Sequence, residues 1–469
     1  MPSSSNIQAQ DDIEKAPKVS ANTNKNDPDT DSITAAGTIV DDNLPSRTSP
    51  PINRWRFFGI CLLQICAGLS DSAAGALIPS MMSDYSSSFL VTSLIFVGQA
   101  VGFILAAAFV EPIRSALLRR NDSASFLVAN LIVAAAYIPL VIPGCPFALV
   151  VIAFLLVGFG NSFNVSMGNT FCSTLKNSTN LLGIMHSAFS LGGTIGPLIA
   201  TSMVDLGNLP WGRFYYITLA MAVANACLVG WSFRGYQAGD PPSSQAVEDE
   251  KETPKKRHWQ TTFASLNWPV VIISALFIFA YQGAEVTISG WVIKFLQEPD
   301  DKERFTNGVT PTSAGYVTVG YWAGITLGRF FLSGLGTNFP LGRETGYVYF
   351  LVTLAGLFQL VVWLAPNLIT NAVAVAFVGL LIGPAYPCAM TVFMRMMGNN
   401  PDTRVSSVST ISAFGMSGGA IAPFFTGVFA DWAGGKLWVM HPITIVLLVA
   451  MLVFWFVFPF AAGRKGRGL

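Results

Sequence analysis

Gly192-Gly193-Thr194-Ile195-Gly196-Pro197 decides the fold, because the chain writes this stretch twice. It recurs as Gly418-Gly419-Ala420-Ile421-Ala422-Pro423, and an aspartate follows each proline by eight residues, Asp205 and Asp431. The offset, 423 − 197 = 226, also carries Gly98 and Gly102 onto Gly324 and Gly328. Val157-Gly158 maps onto Val378-Gly379 at an offset of 221. Duplication over apolar sequence predicts two bundles of spanning helices with a site between them at the bilayer midplane.

The composition agrees. Of 469 residues, 52% are hydrophobic and 11% charged, with a mean hydropathy of +0.52. A soluble domain carries about 25% charge, so the deficit places the chain in a lipid bilayer. Most of the six cysteines lie in apolar runs and have no metal-ligand spacing, so they read as small hydrophobes.

Twelve apolar segments are long enough to span. They run over 55–82, 88–110, 123–142, 147–174, 179–204, 212–232, 265–296, 311–333, 345–364, 369–396, 405–430 and 437–460. The expected organisation is a disordered cytosolic tail (1–50), a first six-helix bundle (55–232), a cytosolic linker (233–264), a second six-helix bundle (265–460) and a basic cytosolic tail (461–469). The fold class is therefore all-α, with twelve transmembrane helices in two pseudo-symmetric bundles.

Lys and Arg set the orientation. Short loops and flanks on the side of the N-terminus carry seventeen of them, among them Arg54, Arg56, Arg114 and Lys176. The other side carries four: Arg213, Lys302, Arg304 and Lys436. The positive-inside rule then puts both termini in the cytosol. The sequons at Asn121 and Asn177 fall on cytosolic loops, where glycosylation is not expected.

Ionisable residues inside a bilayer are costly and are functional candidates. Asp71 in segment 1 and Glu285 in segment 7 lie at similar depth in repeat-equivalent helices. Burial disfavours a carboxylate's charged form, so either acid is suited to take up and release a proton as access alternates. The competing role is a permanent structural pairing. Arg329, in Gly324-Ile325-Thr326-Leu327-Gly328-Arg329, reads as a conformational latch. Gly324 and Gly328 let a neighbouring helix approach, and the arginine can cap carbonyls or pair with an acid across the bundle interface. Lys294 reads as a snorkelling lysine and His186 as a packed histidine.

Asn161 and Asn164 share a face of segment 4; Gln99 and Gln282 lie in segments 2 and 7. Each suits hydrogen bonding to a polar solute or to a neighbouring helix. Tyr281, Trp291, Tyr321 and Trp322 suit stacking on the apolar face of a ring, with interfacial anchoring as the alternative for the tryptophans. No Gly-x-x-x-x-Gly-Lys-Ser/Thr loop is present, so energy for uphill movement must come from an ion gradient. No nucleophilic or metal-ligand constellation stands out, and neither enzymatic activity, nor a cofactor, nor nucleic acid is expected.

Twelve spans, a six-plus-six repeat and a central loop resemble the major facilitator superfamily. Gly324 to Arg329 resembles its second-half loop motif, and Gly192 to Pro197 its helix 5 glycine-proline motif. Gly283-Ala284-Glu285-Val286-Thr287-Ile288-Ser289-Gly290-Trp291 and Gly383-Pro384-Ala385-Tyr386-Pro387 are similar to the fucose-permease-like branch, in its fungal members. That branch includes proton-coupled sugar permeases, which implies Asp71 as a proton carrier. The chain departs from it where segment 4 has Asn164 in place of an acid, and where Gly102 is followed by no acid before Glu111.

The expected protein is a monomeric secondary transporter of a small solute, a proton-coupled symporter of a sugar-like molecule working by alternating access. The plasma membrane is favoured over the vacuolar or another internal membrane. Proton-antiport efflux of an amphipathic metabolite or drug is the first alternative, and a non-transporting receptor-like protein the second.

Overall fold

The computed structural model describes residues 45–114, 121–176, 178–236, 268–297, 309–333, 341–396 and 401–461. Most of the expected tails and of the central linker lie outside them. Among the described residues every regular element is helical. In hydrocarbon no water meets a free N–H or C=O, so a spanning segment must satisfy its backbone within itself.

The first half comprises α1 (Asn53–Tyr85), α2 (Phe89–Pro112), α3 (Asp122–Val141), α4 (Phe147–Ser173), α5 (Ser178–Thr201) and α6 (Phe214–Ser232). The second comprises α7 (Trp268–Leu296), α8 (Pro311–Leu327), α9 (Leu341–Leu364), α10 (Leu368–Ile382), α11 (Ala385–Met396), α12 (Pro401–Trp432) and α13 (Met440–Ala461). The tenth expected span is two helices, α10 and α11. They part at Gly383-Pro384, where proline lacks an N–H and disfavours helical geometry in the residue before it. Both α5 and α8 run on into a π-helical turn, Ser202–Leu206 and Gly328–Leu332.

Ten described helical spans are long and apolar enough to cross a membrane. The two below that standard are α8 and α12, the second rich in Gly, Ser and Thr.

The molecule has two ends. The proximal end is where α1 begins and α6 finishes. The distal end carries the α1–α2 turn, the link between α5 and α6, and the link between α12 and α13.

Repeated glycines do the same work in both halves. A methyl group at Gly192 would sit less than 3.0 Å from the Ile65 carbonyl oxygen of α1, and one at Gly418 equally close to the Phe279 carbonyl oxygen of α7. Gly98 and Gly102 meet carbonyls of α4; Gly324 and Gly328 meet carbonyls of α10. Gly158 abuts Gln99, and Gly379 abuts Tyr321. The duplication is thus a duplication of backbone contacts. Without a hydrophobic drive between helices in lipid, such close approach supplies the dispersion that holds them.

Gly192→Val and Gly418→Val should therefore each destabilise by about 1–3 kcal/mol or more. Gly356→Ala, in α9 with no neighbour within 4 Å, should be neutral or stabilising. Thermal melts followed by monodispersity in detergent separate the two classes; equal losses at all three sites would sink the reading.

The interiors of the halves differ. Asn130 of α3 donates to Asn164 of α4 (3.2 Å), and Asn225 of α6 donates to Asn130 (3.5 Å). The second half instead stacks Phe277, Phe393, Trp455 and Phe458.

Residues 45–50, assigned to the tail by composition, are tied to the proximal end. Lys176 N donates to Pro45 O (2.9 Å), and Asn53 Nδ2 donates to Ser46 O (2.9 Å). Arg56 donates to Ser232 O at the α6 terminus (2.8 Å) and lies 4.6 Å from the Tyr236 ring centroid. These interactions knit the ends of α1 and α6 together.

Candidate functional site

The expected site residues gather in two polar centres, one in each half. In the first, Gln99 of α2 donates from Nε2 to Asp71 Oδ1 of α1 (2.8 Å). Gln99, expected to meet a polar solute or a neighbouring helix, is thus engaged with Asp71 of α1. Asp71 is partly exposed rather than sealed, which suits a group that must meet a wet cavity.

The second centre is an ion pair. Arg329 Nη2 lies 3.0 Å from Glu285 Oε2, with side-chain exposures of 15% and 4%. Tyr281 donates its hydroxyl to the same carboxylate oxygen and accepts from Arg329 Nη2 (3.0 Å). Tyr321 donates to the Glu285 backbone carbonyl (3.2 Å). Arg329 Nη1 donates to Ser190 Oγ (2.6 Å), a residue of α5 in the other half. The carboxylate partner thus comes from the arginine's own half, and the cross-interface partner is a hydroxyl.

Around it α5 and α8 share further hydrogen bonds. Thr326 Oγ1 donates to Ser190 O (3.0 Å) and lies 3.0 Å from Thr194 Oγ1. Ser190 and Thr326 are functional candidates that sequence reasoning missed. Their signal was spacing: Ser190 and Thr194 lie four apart on one face of α5, and Thr326 precedes Arg329 by three on α8.

The remaining expected residues divide. Trp322 is buried, its ring packed on Gly193 of α5 and 6.3 Å from Phe189, with its indole N–H unpartnered. Asn161 is buried and its amide nitrogen has no partner; the buried amide oxygen of Gln282 has none either. These three sites offer unused hydrogen-bonding capacity in three different helices.

Asn164 faces inward to Asn130, within the first bundle rather than towards the second. Trp291 is fully buried, donates to Pro423 O (2.9 Å) and packs on Phe89 and Phe96 of α2. It is neither a headgroup anchor nor free to stack on a solute in this conformation. Tyr281 and Tyr321 spend their hydroxyls on Glu285. Gly324 and Gly328 seat α8 on α10, so they position the arginine and make no contact across the halves.

Among the described residues, the halves touch at the distal end and at the level of Arg329. Gly75 abuts the Ser289 carbonyl, Gly315 abuts Thr201, and Gly427 abuts Phe89 and Ser93. One turn from Ser190 towards the proximal end, His186 is exposed. At the distal end the two halves are in contact.

The family model described as Major Facilitator Superfamily matches residues 60–300, more than half of the chain. "Bypass of stop codon protein 6" of Saccharomyces cerevisiae is 24% identical over 430 residues, covering 87% of this chain and 83% of its own. A "Glucose/galactose transporter" of Brucella abortus is 24% identical, covering 71% and 78%. The solved structure of the E. coli fucose:proton symporter FucP covers 86% of this chain and 98% of its own, at 16% identity and a TM-score of 0.60. The family match and the repeated helix contacts agree, and the fold is that of FucP: the chain belongs to the Major Facilitator Superfamily.

Proposed function

We propose that the chain is a secondary active transporter that carries a small, sugar-like polar solute together with a proton. The observation that carries this reading is the placement of one intramembrane acid in each half, each with its own hydrogen-bonded partner, beside an interface at which the halves meet. Such a geometry suits alternating access, in which a central site opens to each side in turn. The relatives include a protein titled glucose/galactose transporter and a structural neighbour titled fucose:proton symporter, which supports a sugar-like cargo and proton coupling.

Asp71 is the coupling acid in this reading, because its single neutral partner leaves it able to change charge. Glu285 is held by Arg329 and is the weaker coupling candidate. Arg54, Arg56 and Lys176 lie at the proximal end and Arg213 and Lys436 at the distal end, which supports a cytosolic proximal face.

The test is uptake into proteoliposomes of a labelled hexose panel, with and without an inward proton gradient. Gradient-dependent accumulation of one sugar is expected. Gradient-driven expulsion of an amphipathic dye, with no sugar uptake, would favour the antiport alternative. No movement of either would leave the transporter reading without support.

A further inference from the structure

The aspartates that close the duplicated motif have different surroundings, and the difference assigns a role to one of them. An α-helix leaves its first four N–H groups without intrahelical partners. In α2, Ser88 Oγ takes Val91 N (3.3 Å) and Ser88 O takes Thr92 N (3.0 Å). The amides of Phe89 and Leu90 remain. Both donate to Asp431, at 3.1 Å to Oδ1 and 2.9 Å to Oδ2.

Asp431 belongs to α12 of the other half, so the first turn of α2 is completed only while the two halves meet at the distal end. Charge adds to the hydrogen bonds, because the helix N-terminus carries a partial positive charge. The surroundings agree: Phe89 packs on Trp291, and Gly427 lies against Ser93.

Asp205, at the equivalent point of the first half, sits in a π-helical turn. The helix facing it, α8, is capped by its own residues. Thr310 and Ser313 cap each other and Pro311 occupies the first turn, removing one donor. The repeat has both aspartates, and among the described residues the geometry gives only Asp431 a partner across the interface.

We infer that Asp431 is a positioning residue for transport, a clasp that sets the balance between the distally closed and distally open states. The inference rests on the reading that the halves move relative to one another. Opening the distal side must break both amide contacts at once and leave them to water, and closing restores them. The charge–dipole contribution favours closure by about tenfold in population.

The test needs no solute. In chains with native cysteines replaced, nitroxides at Leu209→Cys and Ile369→Cys, both exposed at the distal end, report the separation of the halves in lipid nanodiscs. Asp431→Asn is expected to raise the long-distance population about tenfold, and Asp431→Ala at least as much, while Asp205→Asn leaves it unchanged. In uptake assays the same Asp431 variants should alter apparent affinity differently from the two sides. A wild-type distance distribution in both Asp431 variants overturns the clasp, as does an equal shift from Asp205→Asn. Absence of transport in the parent and the variants alike, together with the expected distance shift, would count against the transporter reading and leave the clasp standing.

Discussion

Arg329→Met is expected to cost about 3–5 kcal/mol of stability, the largest loss of any single substitution at the interface. The substitution leaves Glu285, 4% exposed, as a buried carboxylate facing only hydroxyls. It also removes the Ser190 contact to the other half. Glu285→Gln should lose less, because the amide still hydrogen-bonds Tyr281 and the arginine keeps Ser190. The informative variant is the double Arg329→Met/Glu285→Met. Exchanging a whole buried pair for apolar groups is often close to neutral, so stability should recover much of the loss while communication between the halves does not. Melting in detergent gives the first quantity, and distance distributions between the halves give the second. If Arg329→Met melts like the parent, the pair contributes nothing to stability. If the double variant restores transport as well, the arginine is structural and the latch is wrong.

Asp71→Asn should abolish concentrative uptake and spare exchange. With a pH difference of one unit, coupled uptake of one proton per solute supports about tenfold accumulation. The variant should fall to the equilibrium level, with counterflow persisting and the pH profile flat between about pH 5 and 8. The side chain stays in place in this prediction, because asparagine keeps the oxygen that Gln99 Nε2 now contacts at 2.8 Å. Uptake and counterflow measured on the same vesicles decide it. Concentration of solute with an unchanged pH profile would make Asp71 structural.

The fold was legible because its determinants are periodic and dense. Glycines at repeated offsets mark where one backbone must touch another, and apolar runs of fixed length mark the spans. The break at Gly383-Pro384 was readable in the same residues but was absorbed into one apolar segment. Asp71, Glu285 and Arg329 stood out because charge inside a bilayer is rare. Partnership was the illegible part. Nothing in the sequence says that Arg329 pairs with Glu285 while reaching Ser190, since i, i+4 logic stops at the helix surface. Asn161 and Asn164, three apart, received one role; α4 buries them both, and Asn164 meets its partner on α3. The surroundings of Trp291 were illegible for a related reason. An aromatic near a span's end suggests a headgroup anchor, and only the packing of α2 and α12 around it shows that it is enclosed.

The glycine–carbonyl contacts between α1 and α5, and between α7 and α12, also fix where the protein is stiff. A helix whose glycine abuts a neighbour's carbonyl cannot slide by even one residue without driving a side chain into backbone. Each such pair behaves as a single rod, and the same relation locks α2 to α4 and α8 to α10. The seams between the halves mix such contacts, as of Gly75 against the Ser289 carbonyl, with side-chain joints, chiefly the hydroxyls and guanidinium between α5 and α8 and the carboxylate at the head of α2. Those joints release by rotating about single bonds. The duplicated glycines therefore concentrate backbone contact within each half, while these polar side chains lie where the halves meet.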